Sequence, residues 1–458
     1  MFSQIFFIIA VLLTISFSSS VPTEPWSMTL LKAFALEMGL YSCVLMLILF
    51  QNVLCKRFFP RFKKRLNFAV SVELLIFLII YQFASPPNRV GELFPPFLAW
   101  LTYAQTFQAL QPLLMYFGGL AVFYYSSSAD YGRSTAWRRH YTSCHLRFLI
   151  PFAAPFLLFT LFSDATSLIP AAELEKLLGE GPYSSALADA STWLLSAPFI
   201  ILILIATPLI MKYTWQCKPI DDPLLAGKLE NVCRKANFRQ AGLLTWTIMH
   251  DVLNAAIIGI LPRFRYVLFS QSLLRTLSDD ELAAILAHEI GHSKHKHLIL
   301  YPLVIAGMFC CMAYAALLSD TLSGSILPYA QAYLEWPMRS LSVLAIFIPA
   351  LLAAALYFRL VVGLFSRLFE RQADLYAWQV NIPLQYMVNA LDSLATASGN
   401  SHRIPSWHHY SIQQRIDFLH TCIHNPSTIA QHHRRVRLYL GIYLVLLTMA
   451  FSGLFGIF

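Results

Sequence analysis

The sequence predicts an all-α, polytopic membrane protein that carries one small α+β unit between its membrane spans. Hydrophobic residues make up 57% of the 458 residues and charged residues only 12%, whereas soluble domains contain roughly 25% charged residues. Several apolar stretches reach the length of about twenty residues that an α-helix needs to cross a bilayer. Residues 212–298, by contrast, contain too few long apolar runs to span and include several prolines, which favours a small folded unit.

The predicted spans follow from hydropathy over a window of about twenty residues. They lie near residues 29–52, 69–86, 101–125, 148–163, 193–211, 299–318, 341–365 and 436–458. The fourth is short, and an interfacial or re-entrant segment is the alternative there. The predicted organisation is a five-span region at 28–211, the α+β unit at 212–298, two spans within 299–365, a segment at 366–435 and a C-terminal span at 436–458. Residues 1–27 are predicted to be either a signal peptide or a retained N-terminal anchor, because an apolar stretch precedes small residues but lacks a positively charged start.

The basic residues predict the orientation of the spans. Segments 53–68 and 127–147 are rich in Lys and Arg, while the segment 164–192 has a single Lys and several acidic residues. The positive-inside rule therefore places the first two segments in the cytoplasm, and alternation places 212–298 and 366–435 there too. This explains the net charge of +9 through topology and contact with the lipid bilayer. Nucleic acid is not an expected partner, since the basic residues form short clusters beside spans rather than an aromatic-interleaved stripe.

The stretch LSDDELAAILAHEIGHSKHKH contains the clearest chemical signal. Ser278 followed by Glu281 three residues later forms a capping-box pattern, which predicts that a helix begins there. On this helix His288 and His292 lie four residues apart on one face, so that both imidazoles can bind one ion, with Glu289 beside them. The pattern predicts one Zn²⁺ ion, which makes water a usable nucleophile near neutral pH, and Glu289 as the general base.

Three further residues of this stretch extend the motif. Gly291 leaves room for a closely packed neighbour. His295 and His297 enlarge the histidine cluster, although a basic run at a membrane boundary is typical of lipid contact.

The eight cysteines form no CxxC pair, so neither a disulfide framework nor a cysteine zinc site is predicted.

A third metal ligand is expected from the stretch FSRLFERQADLYA, whose helix continues from the seventh predicted span. It offers Glu370 as the ligand, with Asp374 one turn later on the same face. Ionisable residues so close to a span need partners, which a metal site provides. Asp374 then orients a histidine ring and fixes its tautomer. Pairing of these acids with Arg367 or Arg371 is the alternative.

HEIGH, the apolar span after it and SRLFERQADLYA together resemble the membrane-integral zinc metallopeptidase family of the type I CAAX prenyl proteases and the bacterial heat-shock membrane protease. The resemblance covers roughly residues 221–420. It implies a gluzincin-like unit in which Glu370 is the third zinc ligand and Asp374 the aspartate that follows it. His297 matches a histidine that commonly follows the first motif.

Two weaker stretches agree with this resemblance. HYSIQQRI is similar to a late histidine-to-arginine motif of the family, which implies that His409 and Arg415 stabilise the oxyanion of the tetrahedral intermediate; by itself it is equally typical of a surface helix. NAAIIG resembles the edge strand that holds substrate, with Asn254, Ala255 and Gly259 in matching places. An edge strand of this kind can pair with an extended polypeptide substrate.

The predicted function is that of a membrane-bound zinc-dependent endopeptidase in membrane-protein processing or quality control. CAAX-type processing of lipidated proteins is the alternative within the enzymes. The prenyl proteases' acidic-HGFN stretch is missing here and the 436–458 span is extra relative to them, which favours the first reading. A zinc transporter or sensor without peptidase activity is the alternative from another class. It is disfavoured because the candidate ligands flank the predicted spans, whereas transport sites lie near the middle of the bilayer.

Overall fold

The computed structural model describes residues 30–58, 63–84, 105–167, 184–248, 252–331, 349–404, 410–454 and residue 456. Within them long helices dominate, with one four-stranded sheet. The predicted fold class, helical membrane protein plus small α+β unit, is therefore confirmed. The predicted leader or anchor at 1–27 lies outside the described residues.

The chain falls into two compact units. The first runs to Lys218 and includes Trp246–His250 and Gly259–Phe264; the second holds the remainder. The long helices of the first unit are α1 (Leu30–Arg57), α2 (Lys63–Ala84), α3 (Gln105–Ser127), α4 (Thr135–Ser167) and α5 (Ser184–Thr214). Buried apolar side chains from α1 to α4 form a shared core.

Four helical stretches in the described part are long and apolar enough to cross a bilayer. They are Thr135–Ala165, His297–Ser319, Pro349–Gln379 and Ser427–Leu454, and shorter apolar helical stretches lie at Met38–Leu54, Phe68–Leu78 and Ile201–Thr214. The chain is an integral membrane protein. The four long stretches overlap the fourth, sixth, seventh and eighth predicted spans.

Several helices extend beyond the predicted spans, and two of them show the physical reason. Helix α4 begins at Thr135 instead of 148, so the short or re-entrant segment considered for 148–163 is part of a 33-residue helix. The C-terminal helix begins at Ser427 instead of 436. In both cases the first turns carry Arg and His side chains, which lower the window-averaged hydropathy although the backbone is already helical.

The α+β part contains strands β1 (Lys218–Pro219), β2 (Gly242–Trp246), β3 (Ala255–Ile258) and β4 (Tyr266–Ser270), and helices α6 (Pro223–Lys235), α7 (Gln271–Thr276) and α8 (Asp279–Lys294). The strand order is β1-β2-β4-β3, which leaves β3 at an edge. Strands β3 and β4 are antiparallel, with Ala255 opposite Phe269 and Ile258 opposite Tyr266. Strand β4 is buried along its whole length and anchors the sheet.

The remaining helices are α9 (His297–Gln331), α10 (Gly363–Asp374), α11 (Tyr376–Gln379), α12 (Leu384–Ala397), α13 (Ile412–His424) and α14 (Ser427–Leu454). One hydrophobic core joins α6, α8, α12 and α13 to strands β3 and β4. Its centre includes Leu282, Leu286 and Ile290 of α8. Helix α8 is thus held on several sides, which fixes the residues that it presents.

Candidate metal centre

Helix α8 carries His288, Glu289 and His292, and its start is fixed by a capping box. The backbone N–H of Glu281 donates to Oγ of Ser278, while the backbone N–H of Ser278 donates to Oε2 of Glu281 at 2.7 Å. These bonds satisfy backbone donors that the first turn of a helix leaves free. The predicted capping box is confirmed, and the two histidines follow from it on one face of the helix.

Gly291 lets another helix approach α8 closely. A Cβ atom at this position would lie 2.7 Å from Cβ of Tyr376 and 3.1 Å from the carbonyl oxygen of Ala373, so any side chain would force the two segments apart. The predicted close neighbour of Gly291 is confirmed. It is the C-terminal end of α10 and the start of α11.

Helix α10 continues the apolar stretch Pro349–Gln379 after a π-helical turn at Phe358–Val362. A π turn inserts an extra residue into the helix and changes the direction in which later side chains point, and such turns are frequent at functional sites. Beyond it, Glu370 and Asp374 are both buried.

Three donor atoms from α8 and α10 form a compact triangle. Nε2 of His288 lies 3.2 Å from Nε2 of His292. The Glu370 carboxylate lies 3.8 Å from the first of these nitrogens and 3.5 Å from the second. In the described part of the chain these three residues form a group that could hold a metal ion, and they are the three predicted from the sequence.

The triangle fits a zinc ion in both size and chemistry. Bonds of about 2.0–2.2 Å in a tetrahedral site place neighbouring donors about 3.3–3.5 Å apart, close to the observed distances. Two imidazoles and one carboxylate are a donor set that catalytic zinc sites use, with a fourth position left for water or substrate. Two Nε2 atoms at 3.2 Å need a shared proton or a shared cation between them.

Asp374 supports the first histidine. Its Oδ1 lies 2.8 Å from Nδ1 of His288, and its carboxylate also accepts from Nε and Nη2 of Arg415 at 2.9 and 2.5 Å. Because Asp374 is completely buried, its charge needs such partners. Arg371, one of the alternative partners, instead places its guanidinium over the rings of Tyr410 and Phe418.

Arg415 also reaches the candidate metal-binding group directly. Its Nη1 lies 3.4 Å from Oε2 of Glu370. Burial lowers the pKa of Arg415, but the charge and hydrogen bonds of Asp374 and the charge of Glu370 outweigh it, so the net shift is upward. The guanidinium is therefore a permanent cation in the site. His409, predicted to act beside Arg415, lies outside the described residues.

Burial shifts the pKa values of Glu289 and His292 in opposite directions. Burial raises the pKa of Glu289, against the lowering effect of His288, His292 and Arg415. Burial lowers the pKa of His292. The hydrogen bond to Glu370 and the negative charge of that carboxylate raise this pKa by a larger amount, so the net shift is upward. A metal ion must displace this proton in order to bind.

Strand β3 is the edge strand predicted to hold substrate. The backbone of Asn254, just before it, exchanges hydrogen bonds with Ser270: its N–H donates to Oγ at 3.2 Å and its C=O accepts from the N–H at 2.9 Å. Ala255 begins the strand. Gly259 follows it with a φ of +88°, and a Cβ there would collide with the carbonyl oxygen of Phe264.

His297, for which the sequence left both an extended histidine cluster and lipid contact open, is buried. Its Nδ1 lies 2.9 Å from Nδ1 of His292, and its Nε2 lies 3.0 Å from Oε1 of Gln372. A stacked Phe369 ring covers one face of the imidazole. Sequence reasoning did not find Gln372; its position between Glu370 and Asp374 was the available signal.

Comparisons with known proteins agree on the family. Residues 219–423 match the model of "Peptidase family M48". A "Protease HtpX homolog" of Aeropyrum pernix is 28% identical over 188 residues, which are 40% of this chain and 56% of that protein. A "Protease HtpX homolog" of Polaromonas naphthalenivorans is 28% identical over 198 residues, 43% of this chain and 67% of that protein.

Two further similarities were found. The "CAAX prenyl protease 1 homolog" of Arabidopsis thaliana is 29% identical over 121 residues, 26% of this chain and 27% of that protein. The crystal structure of S. mikatae Ste24p has a TM-score of 0.48 at 16% identity and covers 87% of this chain and 99% of that one. The matched part of this chain spans little more than half the length of the Aeropyrum pernix relative. The resemblance drawn from HEIGH and SRLFERQADLYA is confirmed, and residues 219–423 form a domain of peptidase family M48.

Proposed function

We propose that this protein is a membrane-integral zinc metalloendopeptidase whose ion is held by His288, His292 and Glu370. The observation that carries the proposal is the triangle of two Nε2 atoms and one carboxylate, with edges of 3.2, 3.5 and 3.8 Å, directly beside Glu289. A zinc ion supplies Lewis-acid chemistry, polarising a carbonyl and making water nucleophilic near neutral pH.

Glu289 is the proposed general base and acid. Its raised pKa brings the carboxyl closer to neutral pH, where proton transfer in both directions is efficient. The carboxylate takes a proton from the attacking water and then passes it to the leaving amine. Both transfers occur at one carboxyl group, so a single substitution tests them together.

Strand β3 is the proposed docking site for an extended polypeptide. As an edge strand it can add a substrate strand through backbone hydrogen bonds, with little demand on the substrate's side chains. Asn254, Ala255 and Gly259 bound this edge. Arg415 and His409 are the proposed donors to the oxyanion. The support for Arg415 is its permanent charge 3.4 Å from a metal-ligand carboxylate, where a preorganised donor has its largest effect.

Processing or quality control of membrane proteins is the substrate class that we propose, on the cytoplasmic side of the membrane. The basic segments 53–68 and 127–147 support this orientation. CAAX-type processing remains the second candidate, because one similar protein is a "CAAX prenyl protease 1 homolog". Unmodified casein and a farnesylated CAAX peptide, offered in parallel to the purified protein, distinguish the two substrate classes.

The test of the function is chelator-sensitive proteolysis by purified wild type and Glu289→Gln. We expect wild type to contain zinc and to lose activity when the ion is removed. Glu289→Gln should keep the zinc and lose about 10²–10⁴-fold in rate, the usual contribution of a general base. Glu230→Gln, at an exposed position on α6, is the matched control and should leave the rate unchanged.

Two outcomes would contradict the proposal. An active Glu289→Gln variant would remove the assigned base. Zinc flux into liposomes by a protein that hydrolyses nothing would instead support the transporter alternative.

A further inference from the structure

A line of hydrogen bonds connects the metal ligand His292 to the C-terminal helix α14. Nδ1 of His292 lies 2.9 Å from Nδ1 of His297, and Nε2 of His297 lies 3.0 Å from Oε1 of Gln372. Nε2 of Gln372 in turn lies 2.9 Å from Nδ1 of His433. The four residues come from α8, α9, α10 and α14, so the line joins the consecutive helices α8 and α9 to two helices that are distant in sequence.

The amide of Gln372 sets the direction of this line. A carbonyl oxygen only accepts and an amide nitrogen only donates. With Oε1 facing His297, Nε2 of a neutral His297 must carry the hydrogen, and its Nδ1 must accept. His292 then donates from Nδ1, so Nε2 is the nitrogen that a metal ion can bind in place of a proton. That nitrogen is the atom that faces His288 and Glu370.

The opposite amide orientation would reverse every bond. The amide nitrogen of Gln372 would then donate to Nε2 of His297, whose hydrogen would move to Nδ1. His292 would accept at Nδ1 and carry its hydrogen on Nε2, where it blocks metal binding. His433 with its hydrogen on Nε2 opposes this state, because its Nδ1 then only accepts and needs the amide nitrogen of Gln372 opposite it.

Helix α14 is fixed against α10 on both sides of the ligand Glu370. Nε2 of the buried His432 donates to the backbone oxygen of Leu368 at 3.1 Å. The adjacent His433 binds Gln372. Leu368 and Gln372 lie two residues before and two residues after Glu370, so α14 contacts the ligand's own turn. Val436 packs in the same cluster as Phe365 and Phe369.

We infer that Gln372 and His433 are positioning residues of the metal centre, which hold His292 in the tautomer that binds the ion. The C-terminal membrane helix is therefore part of the site's architecture. This inference rests on the proposed zinc site. Gln372 and His433 are not proposed to contact the ion. Their effect is measured as zinc affinity, which does not require peptidase activity.

The test measures zinc affinity by competition with a chelator, together with the ¹⁵N chemical shifts of the His292 ring in the metal-free protein. Gln372→Leu removes the acceptor for His297 and should weaken zinc binding about 10–100-fold, the usual effect of losing such an outer partner. His433→Leu should weaken binding in the same direction. His433→Asn keeps an acceptor oxygen and should restore most of the affinity. The exposed substitution His424→Leu is the control.

Testing His433→Leu in a Gln372→Glu protein separates the effect of amide orientation at position 372 from the effect of packing at position 433. A carboxylate accepts at both oxygens, so His297 keeps its acceptor whatever lies at position 433. His433→Leu should therefore change zinc affinity in the wild-type background and leave it unchanged in Gln372→Glu. The ring shifts of His292 should move toward the Nε2-protonated tautomer in Gln372→Leu and in His433→Leu.

An equal loss from His433→Leu in both backgrounds would overturn the inference, because packing alone would then explain it. Unchanged affinity in Gln372→Leu would also overturn it, while leaving the zinc site intact. A wild-type protein that binds no zinc would instead refute the proposed function, and this inference with it.

Discussion

Nδ1 of His288 donates a hydrogen bond to Oδ1 of Asp374 across 2.8 Å. A carboxylate can only accept, so the hydrogen is on Nδ1 and the Nε2 lone pair is free to bind a metal. Asp374 follows Glu370 by one helical turn. Helix α10 thus provides one proposed ligand and also orients a second, which ties the geometry of the site to a single helix.

The first prediction concerns Asp374→Asn. The amide loses the negative charge that pairs with both His288 and Arg415. The buried guanidinium keeps only the Glu370 carboxylate, 3.4 Å away, as an ionic partner, which is costly. We expect zinc affinity to fall about 10–100-fold and the thermal midpoint to drop. Chelator competition and thermal unfolding measure the two effects. Asp417→Asn, at an exposed site on α13, is the control; equal behaviour of the two variants would contradict the assigned role.

The second prediction concerns Gly291→Ala. The new methyl group would lie 2.7 Å from Cβ of Tyr376, so α8 must move away from α10 and α11, at a cost of about 1–3 kcal/mol. We expect a lower thermal midpoint and weaker zinc binding, because the ligands are on the separated helices. Gly227→Ala in α6 meets nothing within 4 Å and should stabilise its helix by up to about 1 kcal/mol. A Gly291→Ala protein as stable as wild type would contradict the close packing of α8 against α10 and α11.

The third prediction concerns pH. Burial lowers the pKa of His295 from 6.5 to about 4, reinforced by the charges of His433 and His292. Between these two pH values the unfolded chain binds a proton that the folded protein does not, so stability falls as pH falls through this window. His295→Phe removes the proton-binding group and keeps an aromatic ring. The zinc-loaded variant should lose less of its thermal midpoint between pH 7 and pH 5 than wild type does; an equal loss would contradict the prediction.

The sequence predicted what local patterns determine. The capping box at Ser278 and the pairing of His288 with His292 on one face depend only on residues within a few turns. Glu370 was identifiable because a carboxylate beside a membrane span needs a partner. These features depend little on how distant segments pack.

Tertiary packing determined what the sequence did not predict. Gln372 and His433 are 61 residues apart, and Asp374 and Arg415 are 41 apart, so no periodicity connects them. The resemblance assigned Arg415 to the oxyanion, and its ion pair with Asp374 was not predicted. The early starts of α4 and α14 were not predicted because their polar first turns lower the window-averaged hydropathy.

The central claim is that one zinc ion joins α8 to α10, and anomalous diffraction at the zinc edge tests it most directly. We predict a single peak within about 2.0–2.2 Å of Nε2 of His288, Nε2 of His292 and one carboxylate oxygen of Glu370. A peak elsewhere, or a zinc-loaded protein in which Glu370 lies far from both histidines, would contradict the account.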